Sequence, residues 1–319
     1  MSKHIFITGG AGFIGSHTAE YLLRRGDRVS ILDAFAFGYD TSLKEENAAL
    51  LKQYPNLQLI RGDIRNASLL DQLFQQDRPD VVVHLAARAG VRPSLQDPDS
   101  YADINITGTI RILQAMRKHN IDHIVFASSS SVYGSRKQGP FRETDNVDVP
   151  ASPYAGTKKA GELFCANWNY LYGTHATCLR FFTVYGPRQR PEMAIHLFTD
   201  RIQRGLPITM FGDGSSVRDY TFVDDIVQGV VASIDRKLGF QIINLGNGSP
   251  IRLDTLIHRI SQAVGKKAIV KQMDDQPGDV PMTFASVERA NRLLGYAPST
   301  SIEHGLQKFV DWYQQPEVA

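Results

Sequence analysis

Two side chains that could share a proton-transfer site stand four residues apart in the run Ser152-Pro153-Tyr154-Ala155-Gly156-Thr157-Lys158. Pro153 suits the first turn of a helix, because its φ is fixed and it needs no amide partner, and a helix places Tyr154 and Lys158 on one face. A phenol titrates at roughly pH 10, and a neighbouring ammonium group lowers its pKa. The pair therefore predicts that Tyr154 accepts a proton. A solvated helix face is the alternative interpretation.

A glycine-rich turn follows the first apolar segment of the chain, His4–Thr8. Its glycines form the pattern G-x-x-G-x-x-G, and the apolar spacing after it predicts an amphipathic helix from Phe13 to about Arg25. Glycines let the backbone approach the pyrophosphate of a dinucleotide, which binds at a helix N-terminus. An ordinary loop is the alternative. The glycines predicted to hold the cofactor are Gly9, Gly12 and Gly15.

An acidic residue, Asp33, ends the next predicted strand, residues 28–32. Its carboxylate is placed to accept hydrogen bonds from an adenosine ribose. Because a carboxylate repels a 2′-phosphate, the sequence favours NAD over NADP as the cofactor.

Predicted strands and helices continue to alternate along the chain. The further strands are 57–60, 81–83, 124–127 and 176–182, and the further helices are 68–76, 101–119 and 154–172. This alternation predicts an α/β fold with a doubly wound parallel sheet of the Rossmann type. Such sheets bind ligands at the carboxyl ends of their strands. The residues at those ends are Asp63, Ile64, Leu85, Ala86, Ala87 and Ser128 to Ser131.

The regular alternation ends near residue 183, where prolines separate shorter elements. We predict an NAD-binding domain at 1–182 and a smaller, partly discontinuous α/β substrate domain at 183–319. Two stretches, 222–233 and 241–245, are predicted to return to the first sheet, within a segment of about 221–246.

The composition argues against nucleic-acid and membrane partners. Thirty-five Lys and Arg residues against 33 Asp and Glu residues give a net charge of +2. We expect no signal peptide and no membrane span. Cys165 and Cys178 lack metal-ligand spacing and are predicted to be reduced core residues, which suits a cytoplasmic protein. No pair of histidines has metal-ligand spacing, so no metal is expected.

Four motifs give the chain a resemblance to a known family. They are T-G-G-A-G-F-I-G with Asp33, H-L-A-A at His84, S-S-S-S-V-Y-G at Ser128 and Y-A-G-T-K at Tyr154. Together they resemble the extended short-chain dehydrogenases that act on nucleotide sugars. Four longer runs are similar to the UDP-glucuronate 4-epimerases of that family: Tyr39 to Lys44, A-G-V-R-P-S from Ala89, R-F-F-T-V-Y-G-P-R-Q-R-P-E-M-A from Arg180, and Gly278 to Pro281.

The resemblance implies specific roles for the catalytic residues. Tyr154 would be the base, Lys158 its partner and a ligand of the nicotinamide ribose, and Ser129 the hydroxyl that bridges Tyr154 and the sugar O4. Tightly bound NAD would take a hydride from C4 of a UDP-sugar and return it to the other face. The positions that match cofactor contacts are Gly9, Gly12, Phe13, Ile14, Gly15, Asp33, Asp63, Ile64, Leu85, Ala86, Ala87, Asn105, Tyr154 and Lys158.

The serine run bears on the choice of substrate. Related dehydratases and decarboxylases carry an acid where this chain has Ser130 and Ser131, and UDP-glucose epimerases tend to have Asn where it has Thr183. Hydroxyls from Ser129 to Ser131 and Thr183 could bind a sugar carboxylate, which implies C4 epimerisation of UDP-glucuronate to UDP-galacturonate. Alternatively, these hydroxyls only satisfy backbone groups at the strand end.

The diphosphate and uridine of such a substrate also need partners. Arginine suits a diphosphate because its guanidinium binds two oxygens at once. The family pattern places the diphosphate near Arg92, Arg190 and Arg218, the uracil near Thr209 and Phe211, and a ribose near Asp279. Gln276 replaces an arginine of the UDP-glucose epimerases, which leaves a phosphate contact there in doubt.

Three rival functions stay open. They are C4 epimerisation of another UDP-hexose, such as UDP-glucose or UDP-N-acetylglucosamine, decarboxylation of UDP-glucuronate, and a non-catalytic NAD-binding scaffold. Small Thr283 near the sugar would leave room for an N-acetyl group. The resemblance also implies a homodimer, in which the helices 101–119 and 154–172 pack against a second copy.

Overall fold

The computed structural model describes residues 2–36, 40–274 and 280–315. Its strands β1 to β13 are, in chain order, His4–Thr8, Arg28–Asp33, Leu57–Arg61, Val81–His84, His123–Ser129, His175–Phe181, Thr183–Tyr185, Ile208–Phe211, Val217–Arg218, Tyr220–Phe222, Phe240–Leu245, Ile251–Arg252 and Val270–Met273. Its helices α1 to α12 are Phe13–Arg25, Ser42–Leu51, Ala67–Gln76, Val91–Gln96, Pro98–Tyr101, Gly108–Lys118, Pro153–Tyr172, Ala194–Gln203, Val223–Ile234, Leu253–Val264, Glu288–Leu294 and Ile302–Tyr313.

Seven parallel strands form the central sheet, in the order β11-β6-β5-β4-β1-β2-β3. Every residue of β1 and β4 is buried, which is typical of parallel strands covered by helices on both faces. The order reverses at β1, so the carboxyl ends of β1 and β4 flank the crevice in which such sheets bind ligands. The predicted α/β class and doubly wound parallel sheet are confirmed.

The helices that were expected to carry the site have clear end signals. Helix α1 begins after Gly12 and ends at Gly26, whose φ of 94° is left-handed. Helix α7 has Ser152 as its N-cap and Pro153 in its first turn, and it ends at Gly173 in the same left-handed region. Glycine adopts the left-handed conformation after the end of a helix without a steric clash, and proline fits the first turn because it has no N–H to satisfy.

The long helix predicted at 101–119 is present as one continuous helical stretch, but it is not α-helical throughout. Helix α5 leads into a π-helical segment, Ala102–Thr107, before α6 begins at Gly108. A π-helical turn holds an extra residue, so it rotates the following side chains relative to an α-helix. In this turn Asn105 points at the backbone of Arg88 and at α7, where its amide makes three hydrogen bonds.

The two stretches predicted to return to the first sheet behave differently. Strand β11 joins the sheet beside β6. The stretch 222–233 returns as a helix rather than as a strand: Val223–Ile234 is the helix α9, which packs against α1 and against β5 and β6 of the sheet. Its residues are apolar and mostly buried, so they have the composition of a strand but a helical spacing of the exposed positions. The division into two domains at residue 182 stays a prediction.

Beyond Thr183 the remaining strands form three two-stranded sheets. They pair β7 with β10, β9 with β12 and β8 with β13. Asp219 lies between two of these strands and is fully buried. Its carboxylate accepts backbone hydrogen bonds from Asn247 at 2.7 Å, Gly248 at 3.0 Å and Ala285 at 3.0 Å. One side chain therefore joins three segments that are distant in the chain.

Both cysteines, Cys165 and Cys178, are free and buried, as the sequence predicts. Among the helices of the described ranges, none has the length and apolar character needed to cross a membrane.

Candidate active site

A cleft of about 510 Å³ lies at the carboxyl ends of the central strands. This volume is typical of a small-molecule site. One side is lined by residues that follow β1 to β5, and the other by residues that follow β6 and by later segments. One ligand could therefore contact the sheet side of the cleft, and another could contact the segments after Thr183.

The glycine turn forms a close-fitting floor at the sheet end of the cleft. Gly9 has a φ of +72°, and a Cβ on it would lie 2.7 Å from the backbone nitrogen of Ala86. A Cβ on Gly15 would lie 2.2 Å from the carbonyl oxygen of Gly9. Because Gly12 is the N-cap of α1, no capping side chain covers the first amides of this helix. This bare helix N-terminus fits the pyrophosphate of a dinucleotide.

Asp33 ends β2 beside the glycine turn. Its carboxylate accepts a hydrogen bond from the amide of Ala11 at 3.2 Å and from the amide of Phe35 at 2.9 Å. The ammonium of Lys44 lies 3.1 Å from the same carboxylate. Lys44 also lines the cleft, so this ion pair adds a cation that the sequence reading had not assigned to the site.

Tyr154 and Lys158 face the end of β5 from α7. The Tyr154 phenol lies near Ser129, whose hydroxyl acts to lower the pKa of the phenol. The Lys158 ammonium donates to the carbonyl of Ala127 at 2.7 Å and lies 6.0 Å from the centre of the Tyr154 ring. The predicted hydroxyl, phenol and ammonium are therefore together at one point of the cleft.

Burial has opposite effects on the two titratable groups. It raises the pKa of the Tyr154 phenol, while the Ser129 hydroxyl and the charge of Arg190 act to lower it. Burial lowers the pKa of Lys158 to about 8. The phenol pKa is therefore raised rather than lowered in the protein alone, because burial is the largest influence on it.

The serine run forms a cluster of hydroxyls next to Tyr154. The segment Ser130–Tyr133 is a short 3₁₀ turn, and the Ser131 hydroxyl donates to the Ser129 hydroxyl at 2.9 Å. The amide of Ser131 also donates to Ser129 at 3.2 Å. Thr183 lines the same cleft, at the start of β7. Four neutral hydroxyls, of Ser129, Ser130, Ser131 and Thr183, therefore line the same cleft as Tyr154.

The arginines predicted to bind a diphosphate are in two places. Arg190 and Arg218 line the cleft. Arg190 is also paired with Glu192 at 3.0 Å. Arg92 is exposed, and its guanidinium lies 5.1 Å from the centre of the Phe211 ring. Arg92, predicted to bind phosphate, is therefore in contact with Phe211, predicted to bind uracil. Neither residue is in the described lining of the cleft.

Comparison with known proteins identifies the architecture. The model of the NAD dependent epimerase/dehydratase family matches residues 5–246. The chain belongs to this family. It is 41% identical to a UDP-glucuronate 4-epimerase of Thermodesulfobacterium geofontis, over 98% of this chain and 96% of that relative.

Two solved structures are similar over nearly the whole length of this family member. The UDP-glucuronic acid 4-epimerase of Bacillus cereus, in complex with UDP-glucuronic acid and NAD, superposes with a TM-score of 0.92 at 36% identity, covering 97% of this chain and 98% of that one. The UDP-glucose 4-epimerase of Thermotoga maritima, with UDP-glucose, gives a TM-score of 0.90 at 31% identity and covers 98% of each chain. The chain is thus an NAD-dependent epimerase of sugar nucleotides.

Most residues predicted from the sequence meet in the cleft of this epimerase. Their roles stay predictions, but their positions are compatible with them. The residues that line the cleft are Gly9, Gly12, Phe13, Ile14, Gly15, Asp33, Asp63, Ile64, Leu85, Ala86, Ala87, Ser129, Ser130, Ser131, Tyr154, Lys158, Thr183, Arg190 and Arg218. Arg92, Thr209, Phe211 and Asn105 do not line it, and Asp279 lies outside the described residues.

Asn105 is placed behind the site rather than in it. Its side-chain oxygen accepts from the amide of Arg88 at 2.8 Å, and its amide group donates to the Arg88 carbonyl and to Thr157, both at 3.0 Å. These partners use both amide hydrogens and one of the two acceptor positions of the oxygen. Asn105 therefore fixes the loop after β4 against α7, and the cofactor contact that the resemblance implies for it stays a prediction.

An ion pair that the sequence did not predict holds the loop of Arg190 against α1. Arg188 donates to Glu20 on α1 at 2.5 Å, and both side chains are largely buried. The ring of His17 on α1 lies 2.9 Å from the carbonyl of Pro187. The two contacts link the cofactor helix to the sugar-side loop. The only sequence signal was a basic residue within a proline-rich turn, which is too common to be informative.

Proposed function

We propose that this epimerase inverts C4 of UDP-glucuronate to give UDP-galacturonate, with Tyr154 as the proton acceptor. The observation that carries the proposal is the set of four hydroxyls, of Ser129, Ser130, Ser131 and Thr183, that line the same cleft as Tyr154 and have no acid among them. Neutral hydroxyl donors suit a substrate carboxylate, because hydrogen bonds to a charged group are stronger than those between neutral groups.

The proton chemistry at C4 rests on three side chains. Tyr154 takes the proton of the C4 hydroxyl, and Ser129 lies near the phenol and acts to lower its pKa. Bound NAD supplies the reversible oxidation of C4. The buried Lys158 ammonium, fixed on Ala127, favours the phenolate once the site is closed to water. Inversion then requires the 4-keto sugar to turn in the cleft, so that C4 would receive the hydride back from the reduced cofactor on its other face while O4 recovers its proton from Tyr154.

The residues that would hold NAD are those of the close-fitting floor. The bare N-terminus of α1 would bind the pyrophosphate and Asp33 the adenosine ribose. Since the cofactor must stay bound through a complete turnover, we expect NAD to co-purify with the protein. Denatured protein that releases no NAD(H), combined with a stoichiometric demand for added NAD, would contradict the proposal.

The lack of an acid at the serine run supports epimerisation rather than decarboxylation. Loss of CO₂ from the 4-keto sugar leaves an enolate that an acid must protonate. Positions 130 and 131 carry serine, and the acidic residues among the described lining are Asp33 and Asp63, which follow β2 and β3 at the cofactor end. The hydroxyls would also hold the carboxylate in place while C4 is oxidised.

The test is incubation of the protein with UDP-glucuronate, UDP-glucose and UDP-N-acetylglucosamine in separate reactions, with detection of each C4 epimer. We expect UDP-glucuronate to have the highest kcat/KM. A second candidate is an N-acetylated UDP-hexose, which is favoured by the small side chain of Thr283 in the cleft lining. Highest activity with UDP-N-acetylglucosamine would select that candidate.

Thr183→Val tests how the carboxylate is recognised. Loss of one hydrogen bond to a charged group costs about 1.5–3 kcal/mol, so the variant should lose roughly tenfold to hundredfold in kcat/KM for UDP-glucuronate and much less for UDP-glucose. Arg190→Ala is the comparison, because a diphosphate partner should weaken both sugars. Equal losses for the two sugars in Thr183→Val would show that Thr183 does not bind the acid.

We also propose that the protein is a homodimer that pairs through the helical stretch 101–119 and α7. Four large apolar side chains on α7, Leu163, Tyr170, Leu171 and Tyr172, are exposed in the single chain. Covering such residues with a second copy would remove them from water. Light scattering after size exclusion should give twice the mass of one chain, and the mass of one chain would contradict a dimer. A cytoplasmic location stays a prediction.

A further inference from the structure

One face of α7 carries three polar side chains at intervals of four residues, and all three face the end of β5, where Lys158 and Glu162 make hydrogen bonds and Tyr154 lies near Ser129. They face three successive residues of that strand. The three pairs are Tyr154 with Ser129, Lys158 with Ala127 and Glu162 with Ser128. The first two pairs belong to the proposed chemistry. Glu162 continues the same face one turn further from the cleft, and it has no role in the proton transfer described above.

Glu162 is held in place from a second strand. It accepts the hydroxyl of Ser128 at 2.7 Å on one carboxylate oxygen. Arg180 of β6 donates to the same oxygen at 2.7 Å and to the other oxygen at 2.9 Å. Both side chains of this ion pair are 1% exposed. Glu162 therefore joins α7 to both β5 and β6 below the active site.

The buried position of this ion pair indicates that it fixes the positions of neighbouring groups rather than raising the stability of the fold. Removing two charges from water is costly, and an apolar pair of the same volume is often at least as stable. The guanidinium of Arg180 is fixed further by the ring of Tyr133, 4.8 Å from its centre. A bidentate pair allows little rotation, so it sets the position of the Ser128 hydroxyl closely.

We propose that Glu162 is a positioning residue, which acts through Ser128 to fix the end of β5 and so to hold Ser129 against Tyr154. The inference rests on the proposed function in one respect, namely that Ser129 and Tyr154 carry out the proton transfer. Ser128 precedes Ser129 directly, so a shift of its backbone moves the Ser129 hydroxyl. A displacement of about 1 Å at a reacting group can reduce turnover by roughly a hundredfold.

Ser128→Ala is the sharpest test, because it removes the hydroxyl and leaves the ion pair intact. We expect kcat to fall roughly tenfold or more, with KM and the affinity for UDP unchanged. The matched control is Ser233→Ala on α9, where an equally buried serine donates to the carbonyl of Gly229 at 2.8 Å. Both variants should lose a similar amount of thermal stability, and only Ser128→Ala should lose kcat.

A second readout does not depend on turnover. The titration of Tyr154 can be followed as the ultraviolet difference between each protein and its Tyr154→Phe counterpart. Since the Ser129 hydroxyl lowers the phenol pKa, Ser128→Ala should raise it, and Ser233→Ala should leave it unchanged. The charged and titratable groups that face the phenol, Lys158 and Arg190 with Tyr101, are the same in all of these proteins.

These measurements separate the two proposals. A wild-type protein that epimerises no UDP-sugar contradicts the proposed function, while the titration still tests the positioning role. The positioning role is overturned if Ser128→Ala and Ser233→Ala have the same kcat and the same Tyr154 titration. It is also overturned if Ser128→Ala loses UDP affinity in proportion to kcat, since that result indicates a general structural defect.

Discussion

The side of the cleft that is proposed to bind NAD, the cofactor side, rests on one continuous sheet. The side that is proposed to bind the sugar nucleotide, the sugar side, is assembled from short segments that the buried carboxylate of Asp219 holds together. On the cofactor side, Asp33 and the glycine turn follow neighbouring strands, and Lys44 partly balances the carboxylate. On the sugar side, Asp219 accepts backbone amides from two distant segments and lies next to Arg218. Burial raises the pKa of Asp219 in spite of these hydrogen bonds.

The difference shows two ways of building one site. The sheet fixes its strand ends through many backbone hydrogen bonds. A single side chain there therefore contacts the ligand but does not determine where the strands lie. The strands near Asp219 have two or three residues each, so one carboxylate determines how they meet. We therefore expect changes on the cofactor side to act on NAD alone, and changes at Asp219 to act on UDP alone.

The largest effect is expected where the two sides meet, at Tyr154. Tyr154→Phe removes the transferable proton and should reduce kcat by roughly 10²- to 10⁴-fold. Binding of UDP, measured by calorimetry, should be unchanged, because the cleft-lining arginines are untouched. Tyr170→Phe, at an exposed position of the same helix, is the control and should keep full activity. Retained kcat in Tyr154→Phe would remove Tyr154 from the proposed role.

Gly15→Ala should separate the cofactor side from the sugar side. The new Cβ would lie 2.2 Å from the Gly9 carbonyl, so the glycine turn must shift away from the space for the pyrophosphate. We expect co-purified NAD to fall by more than about tenfold, with UDP affinity unchanged. In the control Gly156→Ala the nearest atom is 3.9 Å away, and NAD content should be normal. Unchanged NAD content in Gly15→Ala would refute the cofactor cradle.

Asp219→Asn is the converse experiment. Three backbone amides donate to the two oxygens of this carboxylate. An asparagine side chain offers only one oxygen, so its NH₂ group must face at least one backbone N–H, and that hydrogen bond is lost. A lost bond of this kind costs about 1.5–3 kcal/mol, and we expect UDP affinity to fall roughly tenfold with normal NAD content.

The control for that variant is Asp225→Asn on α9. Asp225 is equally buried and accepts the amides of Ser299 and Thr300 at 3.0 and 3.2 Å. It should lose thermal stability like Asp219→Asn and keep its UDP affinity. Equal UDP losses in the two variants would mean that Asp219 has no special relation to the sugar side.

A separate effect, on the free energy of unfolding rather than on turnover or binding, is a pH dependence of stability at Lys158. Burial lowers its pKa from 10.5 to about 8, so the unfolded chain binds more protons than the folded one between those pH values. Below pH 8 the folded cofactor-free protein bears the full cost of the buried charge, and this cost disappears as the pH rises through that window.

Lys158→Met removes the buried ammonium group, and with it the cost of burying that charge. The free energy of unfolding of the variant, relative to that of the wild type, should be highest below about pH 8. This difference should decline by up to roughly 3 kcal/mol as the pH rises toward 10.5. Denaturant unfolding at several pH values measures the difference, with the exposed Lys118→Met as control. A difference that is constant with pH would show that Lys158 is not a buried cation.

The sequence predicted the cofactor side well because its signals are local. Gly12 and Gly26 bracket α1, and Pro153 and Gly173 bracket α7, so both helices begin and end close to the predicted residues. The glycine spacing and the acid at the end of β2 are readable from adjacent positions. All of these features depend on residues within one or two elements.

The missed features depend on partners far away in the chain. Glu162 pairs with a residue 18 positions later, and Asp219 bonds an amide 66 positions later. Nothing in the local spacing of Asp219 distinguishes it from a surface acid. The π-helical turn at Asn105 was missed because its apolar pattern is compatible with an ordinary α-helix. A buried polar network is therefore visible only once the fold brings its members together.

The central claim is that the cleft inverts C4 and leaves C5 and the carboxylate untouched. The most direct test is a reaction in D₂O with UDP-glucuronate deuterated at C4, followed by NMR and mass spectrometry. The account predicts UDP-galacturonate as the main product, with deuterium retained at C4 and none entering at C5. A UDP-pentose as the main product, or solvent deuterium at C5, would show a decarboxylase or a C5 epimerase and would contradict the assignment of the serine cluster.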